Sequence, residues 1–234
     1  MNNLPVAILA GGLATRLRPI THTIPKALVP VAGEPFLAHQ LRLLANHDLR
    51  DIVLCVGHLG EQIEAACGNG AAYGVRLRYS YDGPNLRGTG GALRQALPLL
   101  GDAFLVLYGD SYLEIDYLAV QKKFTGSQAS ALMTVMENSR GTEPSNVWFE
   151  DGKVVVYDKK HPRPEMRHID YGLSAYRAEA LAIDNGGDLS DLQRTLAERG
   201  KLTGFEVTIP YHEIGSPAGL QALENHLRQS QTRL

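Results

Sequence analysis

The sequence predicts an α/β fold, a Rossmann-like, doubly wound and mostly parallel mixed sheet, on three observations. Apolar runs of strand length, Pro5–Ala10, Ile52–Val56 and Ala103–Tyr108, recur through the first half with helical periodicity between them. The first and third stop at glycines, Gly11-Gly12 and Gly109, which places loops at the strand ends where doubly wound sheets bind ligands. The 234 residues, 44% hydrophobic and 21% charged, have the composition of an ordinary globular chain.

Each element follows from its pattern. Pro5–Ala10 reads as a buried strand feeding a glycine-opened loop. Phe36, Leu37, Leu41 and Leu44 fall at helical spacing, which predicts a helix over 35–47, and Ile52–Val56 is the second strand. Glu61–Cys67 is a short helix, Val75–Tyr81 alternates apolar and polar residues as a strand, and Thr89–Leu100 is a helix entered through glycines. Ala103–Tyr108 is the fourth strand. After about Asp116 the pattern changes: Ser130–Met136 is strand-like, and Val147–Tyr157 is a hairpin turning at Glu150, Asp151 and Gly152. Arg167–Tyr176 and Leu202–Val207 read as strands, and 188–199 and 216–228 as helices. With no Pro/Ser linker, low-complexity tract or internal repeat, residues 1–234 read as one domain. Residues 1–118 form its nucleotide-type half and 119–234 its mixed half.

Composition excludes several classes. Lys plus Arg is 23 against 25 for Asp plus Glu, so no electrostatic case exists for a nucleic-acid or acidic-membrane partner. Cys55 and Cys67 belong to no CxxC or Cys/His cluster, which disfavours a disulfide scaffold or zinc site and fits a reducing cytoplasm. The apolar N-terminal run lacks a basic lead and is followed by two arginines, unlike an export signal. No stretch approaches the roughly 18 apolar residues of a membrane span.

Chemistry concentrates in three blocks. In Leu9–Lys26 a strand runs through Ala10 into Gly11 and Gly12, whose amides can approach an anion without Cβ interference, and Thr15 and Arg16 add donors behind them. Arg16, Arg18 and Lys26 gather three positive charges in eleven residues of an overall acidic chain, a pattern suited to phosphate. In Arg87–Leu93 the glycines and Thr89 open a helix whose N-terminus favours an anionic or polar ligand. In Leu105–Leu113 Asp110 follows a buried strand, where a carboxylate is a hard-oxygen ligand for Mg²⁺. A glycine turn with solvated basic residues, an ordinary helix entry and a turn aspartate are the plainer readings of the three blocks.

Taken together, these motifs resemble the sugar-1-phosphate nucleotidyltransferases. That family's signature is a Leu-Ala-Gly-Gly strand end, a stretch closing in Thr-Arg-Leu and then Pro-Lys, matched at Leu9–Gly12, Thr15–Leu17 and Pro25–Lys26. Ala14 stands where the family usually has Gly, and Arg87 replaces the Leu of its Leu-Gly-Thr-Gly-Gly-Ala element. The resemblance implies a nucleoside triphosphate on Leu9, Ala10, Gly11, Gly12, Thr15, Arg16, Gly88, Thr89 and Gly90, with Lys26 on the reacting phosphate and Arg16, Lys26 and Asp110 as the catalytic set. It implies Mg²⁺ on Asp110 and on Glu213, which stands where the family's Asp-Ile-Gly-Thr-Pro sequence has Asp. Val154–Lys160 is similar to the family's Glu-Lys element and Ile169–Tyr176 to its sugar-lining strand, so Asp158, Lys159, Tyr171 and Gly172 are the implied sugar-phosphate residues.

The implied reaction joins a sugar 1-phosphate to the α-phosphorus of a nucleoside triphosphate and expels pyrophosphate. Leu-Ala-Gly-Gly tilts the base away from UTP, and the run after Lys26, GEPFLAHQL, is most similar to bacterial heptose-1-phosphate guanylyltransferases. GTP with a heptose or mannose 1-phosphate is therefore expected. Uridylyl or thymidylyl transfer and a non-catalytic nucleotide-sugar sensor are the alternatives. The chain has no GxxxxGK[ST] for a P-loop kinase and no GxGxxG after the first strand for a dinucleotide oxidoreductase. The sequence leaves a homo-oligomer open.

Overall fold

A computed structural model describes residues 3–139, 141, 144–183 and 187–231. Its centre is a nine-stranded sheet. β1 (Val6–Leu9) pairs in parallel with β4 (Asp51–Val56) and β6 (Ala103–Tyr108), and β5 (Arg76–Tyr81) pairs in parallel with β4. The parallel half thus runs β5-β4-β1-β6, as the alternation of apolar runs and helices predicts.

The sheet continues through β11 (His168–Arg177), antiparallel to both β6 and β8 (Ala131–Glu137), and then β12 (Leu202–Glu206), parallel to β8. The hairpin β9 (Val147–Glu150) and β10 (Lys153–Tyr157) closes the far edge. One long antiparallel strand joins the two halves, so the ends of β6 and β8 lie beside the start of β11.

Both faces are covered. Alternation along β1 sends Val6 and Ile8 into one apolar cluster and Ala7 into the other. The first cluster packs α1 (Phe36–Asn46) through Leu37, Leu41 and Leu44, α2 (Gly60–Cys67) through Ile63, and α4 (Tyr117–Thr125) through Tyr117, Val120 and Phe124. The second packs α3 (Gly88–Leu100) and α5 (Leu189–Glu198), the latter through Leu189, Leu192 and Leu196. A smaller cluster seats Leu223 and Leu227 of α6 (Pro217–Gln231) on Phe36, Tyr112 and Ile214.

The predicted elements are all present, with ends that agree to within three residues. The sequence reading gave no helix at α4, whose start is capped by the Asp116 side chain accepting from Ala119 N at 2.9 Å. Nor did it give four strands of two residues each: the hairpin β2 (Pro30–Val31) with β3 (Glu34–Pro35), and β7 (Ser111–Tyr112) paired with β13 (His212–Glu213). Among the described residues no helix is long and apolar enough to cross a membrane.

Candidate active site

The loops leaving β1, β5 and β6 enclose a cavity of about 260 Å³. Leu9, Ala10, Gly11, Gly12, Lys26, Gly88, Thr89 and Asp110, expected as nucleotide or catalytic residues, lie in its wall. Gly109 permits this closeness: a Cβ there would stand 2.6 Å from Leu9 O. Thr15 and Arg16 form a short 3-10 turn just outside. Its entry residue, Ala14, takes a left-handed backbone conformation (φ 48°, ψ 45°), with its carbonyl accepting from Thr21 Oγ1 at 2.8 Å. An L-residue pays about 1–2 kcal/mol for that conformation, which glycine adopts freely. A glycine at this position would not carry that cost.

The catalytic candidates meet at the end of β6. Lys26 Nζ lies 2.7 Å from Asp110 Oδ2, with both side chains largely shielded. The β7–β13 pairing sets Glu213 opposite Ser111, and Ile214 N donates to Asp110 O at 2.9 Å, so Glu213 in β13 lies beside Asp110, the turn residue before β7. A Cβ on Gly215 would lie 3.0 Å from Glu213 Oε1 and 3.1 Å from Arg16 Nη2, which places Arg16 beside Glu213. Lys26 and Asp110 thus stand in the cavity wall, and Glu213, with Arg16 beside it, reaches Asp110 from outside that wall through the β7–β13 pairing.

The helix-entry glycines serve partly as structure. Gly90 N donates to Gly187 O at 2.9 Å, and the Thr89 hydroxyl accepts from Leu189 N at 2.7 Å while lying 3.3 Å from Asp188 Oδ1. Thr89 therefore faces the cavity but ties α3 to α5.

The sugar-phosphate candidates divide. Asp158 spends its carboxylate locally, accepting from Lys160 N at 2.8 Å and His161 N at 3.1 Å and touching His161 Nδ1 at 3.0 Å. The Lys160 amide bond, followed by the His161 contacts, holds its carboxyl near pKa 2. Lys159 turns the other way, its Nζ 5.9 Å from the Tyr108 ring centre and 5.7 Å from that of Tyr157. Gly172, at φ 105° within a bulge of β11, lets the backbone pass Ser111 and Tyr108, where a Cβ would contact Ser111 Oγ at 3.4 Å. Tyr171 is a core residue, edge-on to Tyr211 at 5.6 Å.

Three residues here were not singled out from the sequence. Tyr108 and Asp82 line the cavity, Asp82 being buried with its carboxyl raised by desolvation against opposing help from Arg87. Asp170 is buried beneath Lys159, 3.7 Å from its Nζ. Asp82 carried a signal like that of Asp110, a carboxylate next to a glycine at the end of a strand.

Among the described residues no group of three or more His, Cys, Asp or Glu is arranged to hold a metal ion. The pair Asp110 and Glu213 suits a hard cation that takes its remaining ligands from water and substrate phosphates. The Lys26 ammonium against Asp110 marks that carboxylate as a place for positive charge.

A family model described as nucleotidyl transferase matches residues 6–195. The chain is 35% identical over 212 residues to an N-acetylmuramate alpha-1-phosphate uridylyltransferase of Neisseria meningitidis, covering 88% of each. It is 31% identical over 191 residues to a UTP--glucose-1-phosphate uridylyltransferase of Synechocystis, of which it spans 49%, about half the relative's length. Among solved structures, a putative glucose-1-phosphate thymidylyltransferase from Bacillus anthracis superposes with TM-score 0.83 at 24% identity, over 96% of this chain and 95% of that one. HddC from Yersinia pseudotuberculosis, in complex with GMP-PN, superposes with TM-score 0.81 at 22% identity, over 96% of this chain and all of the other. These two likenesses establish the sheet architecture.

Proposed function

Since the chain belongs to the nucleotidyl transferase family, we propose that it transfers a nucleoside monophosphate from a nucleoside triphosphate to a sugar 1-phosphate, releasing pyrophosphate. The observation that carries the reading is the Lys26–Asp110 pair in the wall of a glycine-lined cavity, with Glu213 and Arg16 adjoining it through the β7–β13 pairing. Both reactants are anions, so the barrier the protein must lower is charge repulsion. Arg16 and the amides of Gly11 and Gly12 bind the triphosphate. Lys26 leaves Asp110 for the phosphate undergoing substitution, where its charge offsets the charge that builds up. Lys159 receives the sugar phosphate. Asp110 and Glu213 would hold Mg²⁺, which supplies charge neutralisation and alignment of the phosphates when bound. No general base is needed, because a phosphate monoester with a second pKa near 6 is largely a dianion at pH 7.

For the finer choice, GTP with a heptose or mannose 1-phosphate is the reading favoured here. The carboxylate of Asp82 in the cavity wall is an acceptor. Guanine offers it a ring N–H and an exocyclic amino group, whereas uracil or thymine offers a single ring N–H. The second reading is uridylyl transfer, favoured by the Neisseria relative that covers 88% of its length and of this chain. A cytoplasmic setting is part of the proposal, in keeping with the free thiols of Cys55 and Cys67.

The test is a matrix of four nucleoside triphosphates against heptose, mannose, glucose and N-acetylamino sugar 1-phosphates, read as pyrophosphate release. The highest kcat/KM is expected with GTP and a heptose or mannose 1-phosphate. Preference for UTP with an N-acetylamino sugar overturns the specificity and leaves the reaction standing. Nucleotide binding without pyrophosphate anywhere in the matrix favours the sensor.

A further inference from the structure

We propose that Asp170 is a positioning residue for nucleotidyl transfer, fixing the Lys159 ammonium where it receives the sugar phosphate. The inference rests on the reaction proposed above.

The turn after β10 decides which residue of the Asp158-Lys159-Lys160 run faces the site. By accepting from the amides of Lys160 and His161, Asp158 closes an Asx-type turn that withdraws its own carboxylate. Lys159 is directed back over the rings of Tyr157 and of Tyr108, which stands two residues before Asp110. The carboxylate it meets is that of Asp170, whose side chain is only 5% exposed while Lys159 keeps 46%. One partner is thus anchored in the fold and the other reaches the solvent that brings substrate.

Asp170 is itself tightly held. Its Oδ1 accepts from Gly172 N at 3.1 Å, and Tyr157 OH donates to its Oδ2 at 3.3 Å. Its amide donates to Asn146 Oδ1 at 2.9 Å, and the Asn146 carbonyl accepts from Asp158 N at 3.0 Å, so the turn and the buried carboxylate share one anchor. Asp170 is the last residue of β11 in register with β8 before a two-residue shift between Asp170 and Ser174, so it stands where the strand begins to bulge. Burial and the Asp170 charge both push the Tyr108 and Tyr157 phenols far above their ordinary range, leaving neutral rings beneath the ammonium. A carboxylate buried this deeply requires a cation or several donors, and here it has both. The cation is the one the reaction needs.

The full chain is compared as wild type, Asp170→Asn, Lys159→Met and the double variant. Each is titrated calorimetrically, separately, with GTP and with the sugar 1-phosphate giving the fastest turnover, or mannose 1-phosphate if none turns over. The KM for that sugar 1-phosphate is measured alongside. Asn keeps the acceptor for Gly172 N and removes the charge. Lys159→Met is expected to weaken sugar 1-phosphate binding at least about tenfold, the scale of a lost charge-assisted hydrogen bond. Asp170→Asn should weaken it about three- to tenfold, and the double variant should be no worse than Lys159→Met within about twofold, because the two act as a unit. GTP affinity should stay within about twofold in all four, the scatter expected of uncoupled sites. Additive losses, or an Asp170→Asn that binds GTP and sugar 1-phosphate equally poorly, would overturn the proposal and mark Asp170 as fold support. Wild type that turns over while Asp170→Asn matches it also overturns it and leaves the reaction intact. Wild type that neither binds a sugar 1-phosphate nor releases pyrophosphate overturns the reaction itself.

Discussion

Replacing Asp110 by Asn separates what this carboxylate does for folding from what it does for reaction. Asp110 and Lys26 form a 2.7 Å charge-assisted contact with their side chains 24% and 18% exposed. Such hydrogen bonds contribute about 1.5–3 kcal/mol when well shielded. Residual exposure, and an Asn oxygen that still accepts from Lys26, bring the expected stability loss to about 1 kcal/mol, or about 2–4 °C in Tm for a chain of this size. The rate should suffer more, because the same carboxylate is one of two proposed metal ligands and its charge fixes the resting place of Lys26. A loss of at least about 100-fold, about 2.7 kcal/mol of transition-state stabilisation, is expected. Pyrophosphate release at saturating substrates and thermal unfolding of the same samples give the two numbers. A variant with wild-type turnover in Mg²⁺, or wild type undiminished by excess chelator, would refute the assignment. Equal proportional losses in rate and stability would reduce Asp110 to a structural residue.

Lys26→Met is expected to lower kcat more than it raises the KM for nucleotide, whereas Arg16→Ala should impair both; steady-state kinetics that show only a KM change for Lys26→Met would move it to simple binding. Glu213→Gln should cost less than Asp110→Asn, and Glu213→Asp should be tolerated, as measured by the Mg²⁺ concentration giving half-maximal rate. Asp158 makes a pH prediction: its carboxyl is held at about 2 by the Lys160 amide and by His161, against 3.8 ordinarily. Its contribution to stability is therefore complete above pH 3.8 and lost as pH falls toward 2. Chemical denaturation across that window should show a flatter acid limb in Asp158→Asn, and an unchanged slope would reject the turn as the source.

The parallel half of the fold was legible because β1, β4 and β6 are buried on both faces and so read as unbroken apolar runs bounded by glycine, while β5 at the edge shows alternation instead. The helices between show their buried stripe at Leu37, Leu41 and Leu44 or at Leu189, Leu192 and Leu196. α4 was less legible: Tyr117, Val120 and Phe124 have helical spacing, but Leu118 is exposed and two lysines precede Phe124, so the apolar stripe is narrow. The two-residue strands β7 and β13 carry no period at all. Their pairing is set by tertiary packing, with Tyr112 and Ile214 both buried in the cluster beneath α6, and it is this pairing that brings Glu213 to Asp110.

The same distinction governs the site. Residue types at motif positions predicted which chemistry gathers, and the cavity wall holds Gly11, Gly12, Lys26, Thr89 and Asp110 as expected. Side-chain direction follows from local hydrogen bonding that a motif does not encode. Asp158 stands at the position implied for a sugar-binding carboxylate, yet an aspartate two residues before a free amide closes a turn on itself, and both its oxygens are engaged there. Asp170 lies twelve residues further on, outside the Asp-Lys pair, and meets Lys159 at the last regular pair before the bulge that contains Gly172. A strand aspartate flanked by Ile169 and Tyr171, both buried, should itself be buried if alternation fails, and a buried carboxylate needs a cation. The place to look for an unassigned charged residue in such a chain is therefore the interruption of strand periodicity at a glycine, where the sheet gives up a regular pair and turns a side chain toward the ligand.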